Sequence, residues 1–196
     1  LENGSEAGGG GDEISEVTKA FGGVVKTIQQ FSDEVATVSV GAAEGRLDVR
    51  GDAAKLKGDY SHLVTGLNET LDSVINPLNV AAEYVDRISK GDIPPKITDN
   101  YNGDFNEIKN NLNMCIDAVN MLVADAKILA EAAVKGQLAT RADATKHQGD
   151  FRVIVQGVND TLDAVIGPLN VAAEYVDRIA KGDIPPRITD NYNGDF

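Results

Sequence analysis

The sequence predicts an all-α rod of tandem helical units that two copies of the chain share side by side. Three observations lead there. The chain repeats itself almost letter for letter, its apolar residues keep heptad spacing over long stretches, and glycine- and proline-bearing connectors interrupt that spacing at regular intervals.

The repeat comes first. Val80–Phe105 reads VAAEYVDRISKGDIPPKITDNYNGDF, and Val171–Phe196 differs from it only at Ala180 for Ser89 and Arg187 for Lys96, at an offset of 91 residues. A weaker repeat of 45 or 46 residues lies inside it: Gly45, Gly91, Gly136 and Gly182 each precede an aliphatic by two residues. Each is followed 12 or 13 residues on by Gly-Asp-aromatic, at Gly58, Gly103, Gly149 and Gly194. Two flavours alternate, GRLDVRGDAAKLKGDY and GQLATRADATKHQGDF on one side and the GDIPP segments on the other.

Between connectors the helices follow. Ile14, Val17, Phe21, Val24, Ile28, Phe31, Val35, Val38 and Ala42 alternate steps of three and four, as do Phe105, Ile108, Leu112, Cys115, Val119, Leu122, Ala126, Leu129 and Ala133. A seam of about two positions in seven is a coiled-coil contact rather than the wider stripe of a globular helix. The apolar stripe is too thin to satisfy one chain, so two copies are expected to share it. Each helix should run about 33 residues, roughly 50 Å, far longer than the helices of solenoid repeats of similar period.

The other two helices slip phase. Tyr60, Leu63, Leu67, Leu71, Val74, Leu78, Ala81, Val85 and Ile88 take two fours in succession, and Phe151 to Ile179 repeat the pattern. Such a stutter unwinds a supercoil locally. Pro77 and Pro168 follow it, each removing a backbone donor and favouring a kink or a helix restart.

The connectors cannot be helical through Pro94-Pro95 and Pro185-Pro186. Gly45, Gly91, Gly136 and Gly182 stop the helices, with Lys90 and Lys181 beside the negative helix end. Asp104 and Asp195 are expected as N-caps, and Ile93 with Ile97 and Ile184 with Ile188 as the anchors that tuck the chain against the helices. Twelve extended residues span roughly 40 Å, enough for the next helix to run parallel to the last.

Composition excludes several functions. A net charge of −13 opposes nucleic acid and anionic membrane surfaces. No apolar run approaches the roughly 20 residues of a spanning helix. One cysteine, Cys115, makes neither a disulfide frame nor a zinc pattern and is expected as buried filler of a heptad position in a reducing cytoplasm. The two histidines, His62 and His147, are expected to be solvated or half-packed and build no triad. Asp99–Asp104 fails as a calcium loop because Tyr101 stands where an oxygen ligand is needed. Gly8–Gly11 is too featureless for a phosphate loop, and the sequons at Asn3, Asn68 and Asn159 are common by chance. No catalytic residue, cofactor or metal is expected. Leu1 is not Met and Phe196 falls within a repeat, so the chain reads as part of a longer polypeptide.

A helix, a glycine stop, a connector with spaced aliphatics, an acidic restart and a second helix together resemble the HAMP domain of bacterial receptors and sensor kinases. The matching residues are Pro77 and Pro168, Gly-Asp-Ile at 91–93 and 182–184, and Asp12-Glu13-Ile14, with Glu107 as the acidic residue opening a second helix. The resemblance implies an array of parallel homodimeric four-helix coiled-coil units stacked end to end. On it, residues 1–11 are a flexible start and 12–30 the second helix of a preceding unit. Units follow at 31–76, 77–120 (with the proline) and 121–166, and 167–196 supply the first helix and connector of another. Units starting at Phe31 and Met121 lack the proline, and no Glu opens the helix after Gly58 or Gly149.

The implied function is a non-enzymatic relay between an upstream sensor and a downstream output domain of the same chain, by helix rotation or repacking. The best-fitting host is a methyl-accepting chemotaxis receptor, reaching a chemotaxis kinase and adaptor through that output domain, cytoplasmic here and anchored to the inner membrane elsewhere. The alternatives are the HAMP array of a sensor histidine kinase and a passive coiled-coil spacer.

Overall fold

A computed structural model of the chain describes residues 9–192 and 194. Among them the fold is all-α, with four long helices, two single 3-10 turns and no strand. The helices are α1 (Gly9–Ala43), α2 (Asp59–Ser89), α3 (Gly103–Val134) and α4 (Gly149–Ala180), 31 to 35 residues each. Two compact units divide between Glu83 and Tyr84.

A glycine in the left-handed region stands two residues after the end of each long helix. After α3, Gly136 adopts φ +72°, its N–H reaches the Ala133 carbonyl at 3.0 Å, and Gln137 N–H reaches that of Ala132 at 2.8 Å. These two bonds satisfy carbonyls that would otherwise be orphaned, and a side chain at that φ would be strained. Gly45, Gly91 and Gly182 repeat the conformation.

The starts differ from the expectation. The N-cap of α3 is Asn102, which makes no side-chain cap bond, and Asp104 lies in the first turn. Gly103 takes the left-handed turn into the helix at φ +54°, which leaves Asp104 two positions past the cap. There it faces the positive helix end without capping an amide. Asp195 lies outside the described residues. Helix α1 also already covers Gly9–Gly11, ahead of Asp12. Glycine lowers helix propensity but keeps its amide donor, so the ladder extends through Gly9–Gly11; residues 1–8 lie outside the description.

Pro77 and Pro168 do not restart a helix. Both sit inside continuous helices, α2 and α4, with their rings half-buried. A proline removes one rung and the flanking turns carry the helix past it.

In the first unit the core is Val38, Leu56, Val64 and Ile75. Gly51 brings the connector so close that a Cβ there would stand 2.7 Å from Val64 Cγ1. In the second unit the core is Ile97, Ile116, Ala132, Ala142, Ala144, Val155 and Ile166, with Leu122 and Leu129 packed against part of it. Val155 and Ile166 stand 91 residues after Val64 and Ile75, so the duplicated sequence buries the same positions.

Apart from Val38, these buried residues are not the heptad seam. The seam lies on a neighbouring face and is largely open, with Leu63 56% and Val176 68% exposed. Cys115 belongs to that open seam and is exposed, not buried filler. One stripe holds the connector; the other is covered only in part, at Val38, Leu122 and Leu129.

Candidate functional site: connectors latched to the helices

Each connector between described helices is gripped by an asparagine. Asn68 Nδ2 donates to the Gly51 carbonyl at 2.8 Å while its Oδ1 accepts from Gly51 N–H at 3.0 Å. Asn113 does the same to Ile97, at 3.0 and 2.8 Å, and Asn159 to Ala142, at 2.8 and 3.1 Å. An extended connector next to a helix has no ladder for its amides, and a primary amide replaces both missing partners of one residue.

A charge pair stands beside each grip. Arg50 binds Asp72 through Nε at 3.0 Å and Nη2 at 2.6 Å, and Arg141 binds Asp163 at 3.0 and 2.7 Å. Both guanidinium groups also donate to connector carbonyls, Arg50 to Leu47 and Val49, Arg141 to Leu138 and Thr140. In the proline connector Lys96 pairs with Asp117 at 2.7 Å. Each acid lies one helical turn after its asparagine, so both act from one helix face.

The two flavours diverge in the remaining ties. In the first unit, Asp52 caps a 3-10 turn, Ala53–Lys55, by accepting from Ala54 N–H at 3.0 Å. Glu34 of α1, itself buried, accepts from Asp52 N–H at 2.9 Å and from Lys55 Nζ at 2.7 Å. The Lys55 ammonium first, and then the Asp52 amide, hold the Glu34 carboxyl below the usual carboxylate range. The duplicate turn, Ala144–Lys146, is capped by Asp143, whose carboxyl the Thr145 hydroxyl and amide hold low. There Asp125 of α3 meets His147 Nε2 at 2.6 Å. His147 is thus buried and paired, not solvated, because it occupies the place that Leu56 fills in the first unit. His62 is exposed.

The GDIPP connector makes no such turn. Arg87 pairs with Asp92 at the helix end and lowers its carboxyl; Pro94 is fully buried, Ile97 buried and Ile93 half-buried. Ile97 is therefore the anchor, joined by Pro94 more than by Ile93. In the second copy Arg178 pairs with Asp183 in the same way, but Ile184 is 84% and Ile188 39% exposed. Ile97 is held over α3 by Asn113. Glu107 is exposed on α3.

The asparagines and their paired acids were not among the residues the sequence singled out. A signal existed: Asn68, Asn113 and Asn159 each stand ten residues after the glycine of a Gly-Asp-aromatic segment. Two of them had been visible only as sequons.

No helix of the described residues is long and apolar enough to cross a membrane. No solved structure matches the chain significantly. A family profile described as HAMP domain matches residues 55–121 and 146–196, more than half of the chain. Both matched segments hold a helix with an interior proline followed by a GDIPP connector. The chain therefore belongs to the HAMP domain family, with matches in two segments of a tandem array, and HAMP domains are non-catalytic elements that relay signals within sensor proteins.

Proposed function

We propose that this chain is a cytoplasmic relay that works as a parallel homodimer and passes changes in helix packing from an upstream sensor to a downstream output domain. Its host is a methyl-accepting chemotaxis receptor, on the resemblance of its alternating units to arrays that precede such signalling domains.

One observation supports the homodimer above all. Seam residues Leu122, Ala126, Leu129 and Ala133 of α3 converge with Ile154, Val158 and Leu162 of α4 on one apolar groove of about 490 Å³. The remaining lining is Asp125 and small or buried residues. Apolar surface in such a continuous strip is favourable to bury, by roughly 25 cal/mol per Å², and its heptad spacing fits an identical strip. Four helices then surround one seam, and either of two side-chain registers can fill it. A relay needs that kind of bistable packing.

Pro77 and Pro168 mark the stutters at which neighbouring units are coupled with opposite bias. Cysteine scanning at Leu67, Leu78 and Val85 in a full-length receptor tests the relay. Cross-linking should change with the state of the input, in opposite directions on the two sides of Pro77. A passive spacer gives patterns that ignore the input.

A further inference from the structure

The connectors are not latched alike, and the difference follows the two flavours. Residues 46–58 are tied forward to α2 by Asn68 and Asp72 and back to α1 by Glu34. Residues 137–148 are tied forward to α4 by Asn159 and Asp163 and back to α3 by Asp125. Beyond the Arg87–Asp92 pair at the helix end, the hydrogen bonds and ion pairs described for residues 93–101 run forward to Asn113, Asp117 and Lys109 on α3.

We propose that Glu34 and Asp125 are positioning residues that staple their connectors to both helices of a hairpin. These connectors are then the stiff members of the array, and 92–102 is the member that releases its grip. The inference stands on connector geometry alone and does not require the homodimer.

The chemistry of the back ties suits that role. The Glu34 side chain is 10% exposed and that of Asp125 22%. A carboxylate so placed must keep its partners, because an unpaired buried charge is costly. Undocking the 46–58 connector strips Glu34 of the Lys55 ammonium and the Asp52 amide together. Undocking 137–148 parts Asp125 from a ring nitrogen whose side chain is 1% exposed. Release of the proline connector breaks a more exposed pair, Lys96–Asp117, each about half exposed, and the Asn113 grip. Exposed pairs of that kind contribute little.

Hydrogen exchange of the full chain, read by mass spectrometry as protection factors, tests this. Residues 96–102 should be at least about fivefold less protected than 46–57 and 137–148, as loss of one tie of about 1 kcal/mol implies. Asp125→Ala should lower protection of 137–148 by about fivefold or more and leave 96–102 within about twofold. Glu34→Ala should do the same for 46–57. If either variant loses its helical circular dichroism, the other decides. Equal protection of the three connectors in the parent chain, or unchanged connectors in a folded variant, would overturn the proposal.

Discussion

Asn159 holds Ala142 by both of its backbone groups, donating to the carbonyl at 2.8 Å and accepting from the amide at 3.1 Å, with both residues buried. One side chain thus stands in for two partners that neither a strand nor a helix supplies. The same relation recurs from Asn68 to Gly51 and from Asn113 to Ile97. The grip is the structural unit that repeats.

Asn159→Ala should destabilise the chain by roughly 2–6 kcal/mol, because two buried backbone groups lose their partners at about 1–3 kcal/mol each. Asn159→Asp should also destabilise it, since a carboxylate accepts from the Ala142 amide but cannot donate to its carbonyl. Urea unfolding with unchanged slope measures this; a loss below about 0.5 kcal/mol for the alanine variant would contradict the role.

Acid should loosen the first connector. Glu34 has its carboxyl lowered in the folded state, chiefly by Lys55. Its contribution is then fully present above the unfolded glutamate value of about 4.3 and is lost as pH falls through the lower folded value. The difference in urea midpoint between the parent and Glu34→Gln should be largest near neutral pH and shrink on acidification below about 4.3. A gap that widened toward acid would reverse the sign and refute it.

Burial and seam should respond differently. Ile116, 1% exposed, is core, and Ile116→Ala should cost about 2–5 kcal/mol at any protein concentration. Ile154→Asp places a charge in the open groove, at a seam residue that is half exposed. It should abolish self-association in sedimentation equilibrium while α3 and α4 stay helical. Cys115, exposed on the same seam, offers a native handle. A short bis-maleimide should join two parent chains and fail to join the Ile154→Asp variant. Monomeric parent protein at high concentration would end the homodimer proposal.

Pro168 interrupts the rungs of α4 without ending it. Pro168→Ala restores an amide donor and a better helix former, worth up to about 3 kcal/mol in an unstrained interior. Thermal denaturation should therefore shift upward. A lower midpoint would mean that the half-buried ring contributes packing that alanine cannot replace.

The heptads made the four helices legible, and the glycines fixed where they stop, because both depend on periodicity and on local φ. The connectors were legible only in part. Ile97 announced itself by its aliphatic character, but Asn113 did not, since a polar residue on a helix reads as solvated until its neighbour is known. His147 misled for the same reason. Its burial depends on the pocket that Leu56 occupies in the other half, and on Asp125, 22 residues away in sequence. Asp104 was misplaced by two positions because Gly103, not the acid, makes the turn. Whether the proline at 77 or 168 would break its helix was a question of neighbouring turns, which composition does not record.

Helix α3 takes the proline connector on its first half, at Asn113 and Asp117, and ties the next connector from its second half, at Asp125. The twelve residues from Asn113 to Asp125 therefore set an angle as well as a distance. A single inserted residue would swing one hold about 100° around the axis relative to the other. Seven would bring it back to within about 20°. The length of this helix is a phase setting, and drift in repeat length along such an array would detune it long before it unfolded.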